Sequence, residues 1–476
     1  MSKLNKDVLL LIFEELQEDS KSLFSCLMTN KFWCETVIPI LWKKPWCYNI
    51  NYYNKNLLYS IITFYLADNI KEYLISQGIL IPRTSRKSFL IDYLSFCKSI
   101  DIDMLNSIIS IGFSNLYNQF LLQQEIYKLL MRKCPELKYL NIKSIKHQIF
   151  YFPEAKTKFE SLCELKCDTT IDTSYFYGLA RNCQYIQRLI IINNKLNINH
   201  GTVKLIENQR NLKYFEWKDD FENDDIVEYP YIEIFLVLEK KADVLNHLIL
   251  STPIIKNVLT KFYKLKTLII NDYVPFSEDQ LKMSAYRELE TFNIDFISLN
   301  EASIIIENSG GHIREILLRY IDYEYWYDNL GEDSLNFICK IYQNCPLIEY
   351  LSLLFPSTTD HFIEFEKLLK GCQILKSLLL NIPNNDKEET GDELLKILIR
   401  SAPTNLREIR FFNDFKFSLN NLEKFFKNWK DRPALSILTT DPIYKGDDYM
   451  KLINKYKDNG VIKEFRCDSR NDDIQY

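Results

Sequence analysis

The sequence predicts an α/β solenoid, a concave parallel sheet with helices outside it, preceded by three short helices and a helical bridge. Three observations carry that prediction. One apolar spacing, with gaps of two residues and then one, returns thirteen times, from Leu137-Leu140-Ile142 through Leu245-Leu248-Leu250 and Ile348-Leu351-Leu353 to Ile462-Phe465-Cys467. The starts lie about 27 residues apart, inside the range where a fixed period denotes stacked repeats. Amphipathic helical patterns occupy the stretches between these strands, and the first 130 residues do not repeat.

Composition narrows the function classes. At 476 residues the chain exceeds a single ordinary core, a limit that stacked repeats escape because each unit contacts only its neighbours. A hydrophobic fraction of 47% suffices for a continuous core. The net charge of -5 and a pI near 5.8 oppose a phosphate-tracking surface, so no nucleic acid is expected as a partner. No run of 18 uncharged apolar residues appears and Met1–Leu16 lacks leader features, so no membrane association and a cytoplasmic and/or nuclear location are expected. Of the twelve cysteines, Cys134, Cys183, Cys345 and Cys372 each precede the first residue of a repeat by three, a periodic placement that predicts buried free thiols.

Residues 1–45 read as three helices. Asp7–Leu16 places Val8, Leu9, Ile12, Phe13 and Leu16 on an apolar side with Glu14 and Glu15 outward. Asp19 and Ser20 supply a turn and a start for a stripe of Leu23, Phe24, Leu27 and Met28. Asn30–Trp42 gives a third segment that Pro39 is expected to interrupt. Three such helices cannot bury a sufficient core alone and require a partner or the neighbouring domain.

Residues 46–132 form the bridge and cap, with Lys55–Ile75 and Lys87–Leu130 read as helical on either side of the break from Gly78 to Ser85. The solenoid then occupies 133–467, followed by a polar tail at 468–476. In each unit the three apolar positions face the core from a strand, as in Leu406-Ile409-Phe411 and Leu435-Leu438-Thr440. Helices are expected at Ser334–Gln343 and at His361–Lys370, where Gly371 acts as a stop, and on the stripe Leu394, Leu395 and Leu398 closed by Pro403. Helices are wider than strands, so the stack is expected to curve with the sheet inside. Two steps carry insertions, the acidic run Asp219–Asp225 and the aromatic run Tyr323–Asp328. Insertions in a repeat map to loops, often on a binding face.

The repeat resembles the leucine-rich repeat in its longer, helix-containing form, which implies a horseshoe. Cys134-Pro135-Glu136-Leu137-Lys138-Tyr139-Leu140-Asn141-Ile142 and Cys345-Pro346-Leu347-Ile348-Glu349-Tyr350-Leu351-Ser352-Leu353 are similar to the cysteine-bearing variety of ubiquitin-ligase receptors. The amino terminus resembles an F-box of the kind seen in fungal families. The matching residues are Leu4, Asp7, Leu9, Ile12, Phe13, Leu16, Leu23, Lys31, Trp33 and the pair Leu41-Trp42. Asn5 stands where that family has Pro, and Thr29 where it has Val. The resemblance implies docking on a Skp-type adaptor, and through it a cullin–RING ligase of the SCF type, by Leu4, Asn5, Leu9, Ile12, Leu16 and Leu23. The repeats would hold a protein substrate.

No enzyme chemistry is visible. The sequence lacks Gly-rich phosphate loops and a Gly-x-Ser-x-Gly elbow. Its five histidines are never closer than 47 residues, so neither a cofactor nor a metal is expected. The substrate surface is expected on the concave side, at the residues just before and just after the second apolar position. Tyr139, Tyr214, Tyr350 and Arg410 are the candidate anchors, since Tyr and Arg dominate binding energy at interfaces. A repeat scaffold or a leucine-rich inhibitor acting outside a ubiquitin ligase remains the alternative.

Overall fold

The computed structural model describes residues 5–17, 19–48, 52–82, 89–143, 145–195, 199–220, 231–251, 259–271, 278–283, 285–319, 330–381, 388–412 and 416–467. Leu4, most of the acidic run, the whole aromatic run Tyr323–Asp328 and the tail at 468–476 lie outside these residues. The chain parts into two compact units, Met1–Leu238 and Glu239–Tyr476. The divisions expected at 45/46 and 132/133 both fall inside the first.

The first unit opens with helices α1 (Lys6–Glu15), α2 (Ser20–Leu27) and α3 (Lys31–Lys43). Asp19 caps α2 by accepting from the Ser22 N–H at 3.1 Å, and Asn30 caps α3 by accepting from the Trp33 N–H at 3.0 Å. Pro39 does not interrupt the third segment: α3 runs through it to Lys43. Leu9, Phe13, Leu23, Val37, Ile40 and Leu41 make a small core, against which Leu16, Trp33 and Trp42 pack. The bridge contributes α4 (Tyr52–Phe64) and α5 (Asp68–Ser76), and then departs from an all-helical reading. Ser99–Asp101 is a strand, β1, followed by α6 (Ile102–Ile109) and α7 (Leu116–Lys133). Cys97, Ile100 and Ile102 are buried and repeat the 3-then-2 spacing, so a further unit precedes the thirteen.

Four parallel strands follow in register: β2 (Tyr139–Asn141), β3 (Glu164–Asp168), β4 (Arg188–Asn193) and β5 (Tyr214–Asp219). Between them lie α8 (Ala155–Glu160), α9 (Thr173–Asn182) and α10 (His200–Asn208), with α11 (Ile232–Glu239) closing the unit. The three N-terminal helices are tied to this sheet. The Lys98 N–H donates to the Lys43 carbonyl at 3.0 Å, Trp46 Nε1 donates to the Ser99 carbonyl at 2.9 Å, and the Trp42 and Tyr93 rings stand 4.8 Å apart.

Among the described residues the second unit holds nine parallel strands. They are β6 (His247–Ser251), β7 (Thr267–Ile270), β8 (Thr291–Asp295), β9 (Glu315–Arg319), β10 (Tyr350–Leu354), β11 (Ser377–Asn381), β12 (Glu408–Phe412), β13 (Leu435–Thr439) and β14 (Ile462–Cys467). Helices α12 (Glu278–Met283), α13 (Leu299–Glu307), α14 (Leu330–Asn344), α15 (Thr359–Gly371), α16 (Glu388–Ser401), α17 (Leu419–Asn428) and α18 (Asp447–Asp458) alternate with them. Gly371 is the last residue of α15. Each unit is thus an α/β stack of parallel strands and helices with the repetition of a solenoid.

The inward positions follow the apolar spacing with one exception. In β13 the buried residues are Leu435, Ile437 and Thr439, while Leu438 faces the other way, so the unit begins at Ala434 and not at Leu435. Leucine at 438 fits the spacing by type, but a one-residue slip reverses every side chain of a strand. Cys134, Cys183, Cys345 and Cys372 are all buried free thiols. A second regularity binds strand to strand. In many steps the carbonyl just before a strand accepts two N–H groups from the next: Lys266 accepts from Glu290 and Thr291 at 2.8 and 2.9 Å, and Arg314 from Glu349 and Tyr350 at 2.7 and 3.0 Å.

Candidate binding surfaces

The N-terminal helices present one surface. Helix α1 carries an uninterrupted apolar run from Val8 to Phe13, and only part of it can face the core. Leu9 and Phe13 are 1% exposed and Leu23 is fully buried, whereas Leu11 is 64%, Ile12 44% and Val8 43% exposed. This corrects the expected docking set: Leu9 and Leu23 are core residues, Leu16 packs against that core, and Ile12 alone of the expected leucine and isoleucine positions described is open to a partner. Asn5 is an exposed N-cap residue whose side chain makes no cap hydrogen bond. Phe24 on α2 and Met28 at its C-cap are one turn apart and exposed, Met28 at 87%, and Phe32 at the start of α3 is also exposed. Each of the three helices therefore shows large apolar side chains to solvent.

The sheet of the first unit presents the second surface. Tyr139, Glu164, Arg188 and Tyr214 lie in register across β2–β5. Tyr139 lies beneath Lys44, whose Nζ is 3.4 Å from the ring centre. Arg188 lies 4.0 Å over the Tyr214 ring, and the Tyr214 hydroxyl donates to Glu216 at 2.7 Å. Burial, joined by the Glu216 carboxylate at Tyr214, pushes both phenols above their ordinary range. The two tyrosines share a row but stand three strands apart, roughly 14 Å at sheet spacing. Each is held by a cation of its own chain.

In the second unit the corresponding row runs Glu315, Tyr350, Ser377, Glu408 and Ser436. Tyr350 is 41% exposed and stands out from β10, while Arg410 on β12 is committed to Glu408, which also accepts from the Ser377 hydroxyl at 3.1 Å. The next row contains a feature the sequence reading passed over. Ile249, Ile269, Leu317, Leu379 and Leu438 lie in this row on the face away from the strand core, with Asn293, Ser352 and Arg410 between them. Its signal was present: Leu248-Ile249-Leu250 and Leu378-Leu379-Leu380 are continuous apolar runs, the pattern of strands covered on both faces. Among the described residues there is no cluster of three or more His, Cys, Asp or Glu placed to hold a metal, and no helix long and apolar enough to cross a membrane.

No family model matches the chain. Over 327 residues it is 23% identical to Reticulocyte-binding protein homolog 1 of Plasmodium falciparum (isolate 3D7), a stretch covering 63% of this chain and 10% of that protein. The chain thus spans about a tenth of that relative's length. Among solved structures it is similar to a chain of the yeast Rad7 and Elc1 complex, with 14% identity, a TM-score of 0.38, and coverage of 65% of this chain and 86% of that one.

Proposed function

We propose that this protein is a non-enzymatic substrate receptor of an SCF-type cullin–RING ubiquitin ligase, working in the cytoplasm and/or nucleus. Its F-box-like helices dock on a Skp-type adaptor, and its leucine-rich-repeat horseshoe holds a protein substrate on the concave sheet. Function is then proximity: the receptor raises the effective concentration of substrate lysines beside a charged conjugating enzyme. The observation that carries the reading is the exposure of Leu11, Ile12, Phe24, Met28 and Phe32 on helices whose sequence resembles an F-box. A helical unit that merely closes a solenoid needs a polar outer face for solubility. A scaffold reading has its own support in the contacts of Lys43 and Trp46 with the residues at β1, which make these helices a cap as well.

The test is capture of the adaptor by the full chain and by Leu11→Asp/Met28→Asp. Both side chains are exposed, so the double variant should keep the wild-type circular dichroism and melting temperature. Two carboxylates in a buried contact cost several kcal/mol, so it should lose adaptor binding by more than about 100-fold. Undiminished capture by this variant, or none by the wild type, removes the receptor reading and leaves the scaffold.

A further inference from the structure

The residues immediately before the strands of the second unit form a charge ladder. Lys266, Glu290, Arg314, Glu349, Lys376 and Arg407 follow one another, each N–H donating to the carbonyl of the one before. As far as Lys376 the signs alternate and neutralise one another. Lys266 meets Glu290 at 2.9 Å, Arg314 meets Glu349 at 2.7 Å, and Lys376 closes on the same Glu349 carboxylate. The alternation then breaks, because the next residue is Arg407 and the following strand brings the buried Leu435 to this position in place of an acid.

The backbone changes at the same point. The Arg407 carbonyl accepts from Ser436 at 2.8 Å, while the Leu435 N–H donates to Val461 at 2.9 Å, so the two-donor pattern stops. Between β13 and β14 the register shifts, pairing Leu435 with Ile462 and Ser436 with Glu464, which makes Lys463 the extra residue of a β-bulge. Bulges re-aim a side chain, and here a cavity of about 340 Å³ opens, lined by Arg407, Glu408, Pro433, Ala434, Ser436 and Lys463. Its two cations are exposed and, among the described residues, neither forms an ion pair. The acids nearby are already engaged: Glu408 with Arg410 and Ser377, and Glu464 with Arg466 at 2.6 and 3.0 Å.

We infer that this cavity is an oxyanion site for a phosphomonoester carried on an organic ligand such as a phosphorylated peptide. Two cations that form no ion pair among the described residues favour a dianion over a single carboxylate, and an arginine fork matches phosphoryl oxygens in particular. The Ser436 hydroxyl supplies a further donor. Pro433 and Ala434 offer an apolar wall to the carbon skeleton that bears the phosphate. The site stands on its own geometry and does not depend on adaptor docking.

The full chain is titrated with N-acetyl-phosphoserine amide, inorganic phosphate and N-acetyl-aspartate amide by calorimetry at fixed ionic strength. Saturable binding of the phosphoserine probe is expected, with the other two at least fivefold weaker. Arg407→Ala/Lys463→Ala should weaken the phosphoserine probe by tenfold or more with the melting temperature unchanged, and Arg407→Lys/Lys463→Arg should retain most of it. Absence of saturable binding, equal binding by the alanine variant, or equal affinity for the aspartate probe or free phosphate would overturn the assignment.

Discussion

His361 shows how far a single side chain can be committed. It is 1% exposed, its Nε2 lies 2.8 Å from Ser334 Oγ, and its Nδ1 lies 2.7 Å from Thr358 Oγ1. Ser334 Oγ also lies 3.1 Å from the Gly331 carbonyl, so both ring nitrogens stand against hydroxyl groups inside the fold. Burial holds this imidazole below its ordinary value of 6.5, although Asp360 pulls the other way. His147, stacked on Phe120 at 4.1 Å and donating to the Phe120 carbonyl at 3.1 Å, is depressed by burial as well. In both cases the unfolded chain binds the proton first. Stability is therefore full above about pH 6.5, declines as pH falls from there, and stops declining below the folded-state values. Thermal melts at pH 7.5 and 5.0 should show a lower melting temperature at pH 5.0. His361→Gln should melt lower at pH 7.5 but lose less between the two, and an unchanged pH difference in that variant would show that His361 does not contribute.

At the scale of one element, β10 holds two adjacent residues with opposite duties. Leu351 is 1% exposed in the strand core, and Tyr350 is 41% exposed on the other face. Leu351→Asp should cost about 4 kcal/mol or more, since it buries a carboxylate without a partner and also breaks the packing of both neighbouring units. Tyr350→Asp should stay within about 1 kcal/mol. Denaturant melts of the two variants decide the register, and equal losses would contradict it. Local periodicity made this strand and the stripe Phe365, Leu368 and Leu369 of α15 readable, because each is written within a few residues. Helix α14 instead buries Phe337, Ile338 and Ile341 and leaves Leu335, Cys339 and Tyr342 half-buried. Periodicity did not make β13 readable, where Leu438 imitates the repeat and small Ala434 hides its true start. Nor did it sort α1, whose run from Val8 to Phe13 offers no polar contrast to separate core from surface. Ser352, which follows the second apolar position and so belongs by spacing to the expected concave surface, is fully buried, its hydroxyl accepting from the Leu318 N–H at 2.7 Å. Only the neighbouring strand reveals that role.

For the whole molecule, the period was enough to predict a parallel α/β stack, while its beginning was not legible. The interval from Cys97 to Leu137 holds two helices, α6 and α7, so β1 falls out of the regular step despite its matching residues. Because β1 is a strand of the stack, the N-terminal helices adjoin the repeats through Trp46 and Lys43, which reach the residues at that strand directly. A stack in which each unit contacts only its neighbours transmits damage over a short range. Leu351→Asp lies in the second unit, and the core of α1–α3 belongs to the first. Limited proteolysis of Leu351→Asp should therefore cut first in the second unit while segments from α1 to β4 keep wild-type protection. If the adaptor docking proposed above is measured for the wild type, this variant should keep it within about twofold. Simultaneous loss of protection in both units, at the same denaturant concentration and with adaptor capture gone, would mean that the chain unfolds as one cooperative body and that local energetics do not govern it.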